Sequence, residues 1–157
     1  MLRRRLFDKL QDITDFSFVD LCAGSGAVGI EAISRGARKV IFVDIGKKQT
    51  LLISKNLKRL EQRGCHKNHE VRCMSSLKWL EQNLSILSEP TIIFFDPPYN
   101  ERSIYIDFLK ITKRINKGTL FLVELSNKTE FYDEVLNQLK GESLQVICQG
   151  DKTIFWF

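Results

Sequence analysis

Short apolar runs alternate with longer amphipathic stretches from one end of the chain to the other, the order expected when strands and helices take turns in an α/β domain. Leu6, Phe7 and Leu10 recur at helical spacing in an opening helix. A strand is expected near residues 18–22, a helix over 28–34 that stops at Gly36, and a second strand, Val40-Ile41-Phe42-Val43, closing at Asp44. A long helix follows over 47–62, with Gly64 as its stop signal. Leu51, Leu52, Leu57 and Leu60 read as its inner face, and Lys47, Lys48, Lys55, Lys58, Arg59, Arg63 and Lys67 as its solvated one. Next come a short strand over 70–73 and a helix over 77–87, with Trp79 and Leu80 in the core.

The second half keeps the alternation. Thr91-Ile92-Ile93-Phe94-Phe95 is apolar throughout, as a strand buried on both faces must be. A helix over 104–115, a strand over 119–125, a helix over 131–139 and strands over 144–148 and 153–157 complete the chain. Gln149-Gly150-Asp151-Lys152 is a turn-rich link, so the last strand should run antiparallel to its neighbour. No repeat, linker or low-complexity segment divides the chain, which reads as one domain over 1–157.

Two motifs carry chemistry. In Asp96-Pro97-Pro98-Tyr99 the Pro-Pro step lacks backbone donors and cannot continue a central ladder, so the chain must leave the sheet there. Ligands of open α/β sheets bind just beyond the carboxyl ends of the strands. The Asp96 carboxylate and Pro97 carbonyl offer two acceptors, and the Tyr99 ring a stacking face, for a flat substrate bearing an amine.

The other motif is Val19-Asp20-Leu21-Cys22-Ala23-Gly24-Ser25-Gly26-Ala27-Val28-Gly29, an apolar strand entering a Gly-rich turn and a helix. Gly24, Gly26 and Gly29 satisfy G-x-G-x-x-G, and Asp44 stands where a ribose-binding acid belongs. Alone, such glycines could merely shape a turn. Asp20, however, would oppose a pyrophosphate and suits a ligand carrying a cationic amino group or sulfonium, so S-adenosylmethionine is favoured over NAD. Cys22 lies inside the same cofactor-binding turn and reads as a small buried thiol rather than a nucleophile.

With both motifs in hand, the chain resembles the class I S-adenosylmethionine-dependent methyltransferases, and within them the RsmD-type family that methylates N2 of a guanine in small-subunit (16S) rRNA. Asp20-Leu21-Cys22-Ala23-Gly24-Ser25-Gly26 and Glu31-Ala32-Ile33-Ser34-Arg35-Gly36-Ala37 are similar to that family's D-x-x-A-G-S-G and E-A-x-S-R-G-A. Leu6-Phe7, Asn56-Leu57 and Asp96-Pro97-Pro98-Tyr99 fall in register as well. The resemblance implies a Rossmann-like fold with seven strands, six parallel and the last antiparallel, and helices on both faces.

It also implies roles. Asp44 would take the ribose hydroxyls, Gly24 and Gly26 would admit the methionine part, Asp20 would face its amino group, and Ile45 would pack on the adenine. Ser75-Ser76 replace the family's Asp or Asn at the adenine amino group. Asp96 and Pro97 would hold the target amine, with Asp96 also bordering the cofactor, while Pro98 and Tyr99 flank the base. Each acid has a plainer alternative: Asp20 as a helix-terminal acid, Asp44 as a turn residue, Asp96 as a cap. Glu31 and Glu124 stay outside the catalytic set. The family's basic hairpin precedes the opening helix, whereas here Met1 falls within that helix, so the RNA-gripping arm is expected to be missing and Arg3, Arg4 and Arg5 to be the remaining grip.

Composition adds little more. A formal charge of +5 over 157 residues favours a polyanionic partner, although such a surplus is common on ordinary domains; that the partner is ribosomal RNA or a small-subunit particle is what the resemblance implies. Four cysteines without C-x-x-C spacing and two histidines indicate no zinc site and no disulfide framework, hence a reducing cytoplasm. No signal peptide or membrane-length apolar run is present, and a metal-free monomer is expected. The rivals are an adenine-N6 nucleic-acid methyltransferase, a non-catalytic RNA-binding module, and an NAD-dependent oxidoreductase that would leave Asp96 to Tyr99 idle.

Overall fold

The computed structural model describes residues 2–64, 68–84, 87, 90–115, 118–140 and 144–157. Its elements are α1 (Leu2–Leu10), β1 (Ser17–Leu21), α2 (Ala27–Ser34), β2 (Lys39–Asp44), α3 (Lys47–Glu61), β3 (His69–Cys73), α4 (Ser76–Gln82), β4 (Thr91–Phe95), α5 (Arg102–Thr112), β5 (Thr119–Ser126), α6 (Tyr132–Leu139), β6 (Gln145–Gln149) and β7 (Lys152–Trp156). All seven strands join one sheet in the order β3-β2-β1-β4-β5-β7-β6. β7 runs antiparallel to both β5 and β6, and the other neighbouring pairs are parallel. This is the Rossmann-like arrangement that the resemblance implied.

Strand alternation divides the core in two. Val19, Leu21, Ile41, Val43, Ile93 and Phe95 face α4, α5 and α6, while Phe18, Val40, Phe42, Ile92 and Phe94 face α1, α2 and α3. Both sheet faces are covered, so β4 can be apolar throughout. The strand order reverses between β1 and β4, where Leu21 pairs with Phe95. The carboxyl ends of these two strands therefore open side by side at the topological switch point, and both motifs emerge there.

The structure corrects several expected details. α3 buries Thr50, Ile53 and Leu57, whereas Leu51 and Leu52 are 63% and 45% exposed, so its inner face is narrower than four leucines implied. α4 ends at Gln82, where the Asn83 amide donates to the Trp79 carbonyl at 2.7 Å and satisfies a terminal acceptor. α5 starts earlier than expected, at Arg102, and ends at Thr112. Cys65 and Lys67 lie outside the described residues, as do positions 85 and 86 of the helix expected over 77–87.

Candidate active site

The turn after β1 is built from left-handed backbone: φ is 62° at Cys22, 56° at Gly24 and 76° at Gly26. Gly26 is the residue before the first turn of α2, and a Cβ there would press on Ile53 at 3.1 Å. Its contribution is to bend the chain beneath α3 rather than to line a cleft. At Gly24 a Cβ would meet nothing within 4 Å, so this stretch of backbone stands open to an incoming group.

Asp44 ties the two loops together. Its Oδ2 accepts the Gly24 N–H at 2.8 Å and its Oδ1 the Gly46 N–H at 2.7 Å. Each carboxylate oxygen keeps a free lone pair, and the residue lines a cleft of about 610 Å³ with Cys22, Gly24, Ile45, Ser75, Ser76 and Asp96 through Tyr99. Ile45 is 77% exposed, an apolar wall beside the acid.

Asp20 departs from the expected geometry. Strand alternation sends its side chain to the α2 face, where it is 2% exposed and its Oδ2 accepts the Gly29 N–H at 2.8 Å. It lines neither of the cavities that meet at Asp96. The placement near a ligand amino group gives way to the helix-terminal alternative. Burial pushes its carboxyl up to about 8, with Asp96 and Asp44 adding to the rise and the Gly29 N–H opposing it.

A folded-state value above the ordinary one means that this group's stabilising contribution is full below about pH 4 and is lost as pH rises towards 8. Asp20→Asn keeps an acceptor for Gly29 and carries no charge. It should therefore raise the melting temperature more at pH 8.5 than at pH 4.5. Equal shifts at the two pH values in thermal unfolding would contradict the assignment.

Ser75 and Ser76 take different positions. Ser75 precedes α4 without a side-chain cap bond and lines the cleft. Ser76 is buried and its Oγ lies 3.1 Å from the Cys22 Sγ. Burial pushes the Cys22 thiol up to about 12, which leaves it a neutral wall at physiological pH.

At the end of β4, Asp96 is half-buried and borders two cavities. Burial pushes its carboxyl up to about 7, Glu124 adds to the rise, and Lys152 and the Tyr99 hydroxyl oppose it. Pro97 is buried and its carbonyl accepts the Tyr105 hydroxyl at 3.1 Å, the same distance at which that hydroxyl meets the Glu124 carbonyl. Tyr105 thus braces the outgoing loop against β5. Pro98 is exposed and lines the cleft.

Tyr99 is more than a stacking ring. Its hydroxyl donates to Glu124 Oε1 at 2.7 Å, and Lys152 Nζ donates to the same oxygen at 2.6 Å while sitting 5.6 Å over the Tyr99 ring. Glu124 and Lys152 join the site from β5 and β7, although the sequence reading left both out. A carboxylate inside the apolar run Phe121-Leu122-Val123-Glu124-Leu125 was the signal available for one of them.

The second cavity, about 940 Å³, lies on the other side of Asp96 and is lined by Arg3, Arg4, Glu31, Arg35, Glu124, Gln149 and Lys152 among others. Arg35 is held there by Glu31 and Asp8, each at 3.0 Å. Arg5 does not share the wall that Arg3 and Arg4 form, because one further step around α1 turns it towards β6, where its Nη1 donates to the Cys148 carbonyl at 2.9 Å.

Comparison with known proteins agrees with this architecture. A family model described as Conserved hypothetical protein 95 matches residues 1–145. Ribosomal RNA small subunit methyltransferase D of Buchnera aphidicola subsp. Acyrthosiphon pisum is 35% identical over 130 residues, covering 81% of this chain and 65% of that protein. The protein of the same name from Haemophilus influenzae is 38% identical over 85 residues, covering 52% of this chain and 41% of its own. The chain thus spans less than two thirds of either relative's length. Among solved structures, a SAM-dependent methyltransferase from Agrobacterium tumefaciens superposes with a TM-score of 0.70 at 18% identity, covering 99% of this chain and 61% of that one, and so shares the fold.

Proposed function

The chain belongs to the Conserved hypothetical protein 95 family, and on that membership we propose that it transfers a methyl group from S-adenosylmethionine to the exocyclic N2 amine of a guanine in 16S rRNA. Residues 1–157 act in this reading as one methyltransferase domain, a cytoplasmic monomer whose partner is ribosomal RNA or a small-subunit particle. Among the described residues no helix is long and apolar enough to cross a membrane.

The observation that carries the reading is that two cavities meet at Asp96. The cleft beside Gly24 and Asp44 fits the cofactor: open backbone for its amino-acid part, a fixed carboxylate for its ribose, and exposed Ile45 for its adenine. Ser75 is the hydroxyl available to the adenine amine. On the other side, Arg3 and Arg4 provide cations for the phosphates of an RNA strand whose target base enters the larger cavity. A base is reached in this way only when flipped or unpaired.

Bound S-adenosylmethionine supplies an activated methyl group, which passes to the lone pair of the amine while the C–S electron pair stays on sulfur. The protein has to position the amine and stabilise the charge it gains. A purine amine is a poor nucleophile because its lone pair is delocalised into the ring. With its two N–H groups held by the Asp96 carboxylate and the Pro97 carbonyl, the lone pair is directed towards the cofactor. Asp96 then receives the proton that the methylated nitrogen sheds. Tyr105 fixes the direction of the Pro97 carbonyl, and Tyr99, anchored through Glu124, limits the tilt of the base.

Cofactor choice gives the first test. Asp44→Ala should weaken S-adenosylmethionine binding by about 1.5–3 kcal/mol, the range for hydrogen bonds to a charged group. Calorimetry that shows unchanged affinity in the folded variant, or tighter binding of NAD by the wild type, would remove the assignment.

A further inference from the structure

Glu124 has a feature that neither anchoring Tyr99 nor neutralising Lys152 requires. Both of its side-chain bonds, from the Tyr99 hydroxyl at 2.7 Å and from Lys152 at 2.6 Å, end on Oε1. Among the described residues no donor reaches Oε2. The residue is only 7% exposed, yet it lines the larger cavity together with Asp96. An oxygen with no protein donor, on a side chain this buried and beside the residue that holds an amine, is an acceptor open to something that enters the cavity.

The bases differ at the atom next to their amines. In guanine the ring nitrogen beside N2 carries a hydrogen, whereas the corresponding nitrogen is a bare acceptor in adenine (N1) and in cytosine (N3). A carboxylate facing that position accepts a hydrogen bond from guanine and meets a lone pair in the other two. Asp96 and the Pro97 carbonyl cannot make this distinction, because an amine presents the same two N–H groups on all three bases.

Resting on the guanine reading above, we propose that Glu124 is the specificity-determining residue of the site, with Oε2 accepting the guanine N1–H while Asp96 and Pro97 hold N2. Lys152 keeps the buried charge compensated through Oε1, so the other oxygen can address the base without leaving an unpaired ion in the core. Tyr99 fixes the rotamer through that same oxygen. Glu124→Gln preserves this anchoring, since its amide oxygen can accept both bonds, and converts the free oxygen into a donor.

The test uses the full chain and a small-subunit rRNA transcript, both free and assembled into small subunits, in which a small fraction of guanosines is replaced by 2-aminopurine riboside. That analogue keeps the 2-amine but has a bare N1. After reaction with labelled S-adenosylmethionine and digestion, the yields of N2-methylguanosine and of methylated 2-aminopurine riboside are compared, each corrected for its abundance. The wild type should prefer guanosine by about a hundredfold or more, as sites built to accept a substrate hydrogen bond reject analogues that lack it. Glu124→Gln should bring the preference to within about tenfold, with lower guanosine turnover and new methylation of the analogue.

Equal use of the two bases by the wild type would overturn the inference without any variant, and so would an undiminished preference in a Glu124→Gln protein that still binds cofactor. Either result leaves guanine methylation itself standing. A wild type that forms no N2-methylguanosine on either the free or the assembled RNA would instead overturn the functional reading on which the inference rests, and the inference with it.

Discussion

Replacing Asp96 with alanine is expected to lower methyl transfer by about 10²–10³-fold, the effect of deleting one preorganised group that stabilises developing charge, while S-adenosylmethionine affinity changes by less than about 0.5 kcal/mol. The split follows from position. Asp96 borders the cofactor cleft but addresses the amine, whereas the ribose is assigned to Asp44. The same carboxylate should set the pH profile, because burial pushes it up to about 7 and only its charged form can accept both an N–H bond and the departing proton. Activity of the wild type should therefore rise with pH through about 7. Single-turnover rates and calorimetry on the same variant decide the point. Turnover equal to the wild type, or cofactor affinity lost along with turnover, would contradict the assignment.

Phe108→Ala should have the largest effect on folding, about 3–5 kcal/mol, against a total stability of roughly 5–15 kcal/mol for an ordinary domain. Phe108 is fully buried on α5 and stacks on Phe95 with ring centroids 4.0 Å apart and planes 7° from parallel. Its edge also meets Phe121 at 6.0 Å. Phe95 is the residue before Asp96 and packs on Tyr105, whose hydroxyl braces the Pro97 carbonyl. The cavity left behind therefore loosens the support of the motif as well as the core. Denaturant unfolding should show a lower midpoint with an unchanged slope. A loss under about 1 kcal/mol would mean that the aromatic cluster repacks and does not support the site.

The difference between these two variants follows what the sequence made legible. Short apolar runs, amphipathic stretches and the Gly-rich and Pro-Pro turns were readable locally, so the order of elements and the location of the motifs at strand ends followed from the chain. Contacts made across elements were not readable. Asp20 sits beside the glycines in sequence, but strand alternation turns it towards α2 and away from both cavities at Asp96. Arg5 belongs to a run of three arginines, yet the helical twist sends it to β6.

Glu124 and Lys152 are 28 residues apart in sequence and meet only because β5 and β7 pair antiparallel, with Ser126 opposite Lys152. The role of the Tyr99 hydroxyl depends on that pairing and could not be seen in Asp96-Pro97-Pro98-Tyr99 alone. Cys22 and Ser76 likewise come together from the turn after β1 and the start of α4, and Ser75, which also lines the cleft, makes no side-chain cap bond.

The central claim, that the two cavities meeting at Asp96 join S-adenosylmethionine to a guanine amine, is tested most directly by the identity of the product. The chain is incubated with methyl-labelled S-adenosylmethionine and small ribosomal subunits that lack the modification, alongside their naked RNA, and the labelled nucleoside is identified after digestion. N2-methylguanosine, formed by the wild type and lost with Asp96→Ala, is the expected result. Label recovered as N6-methyladenosine, or no label transferred by a protein that binds the cofactor, would contradict it.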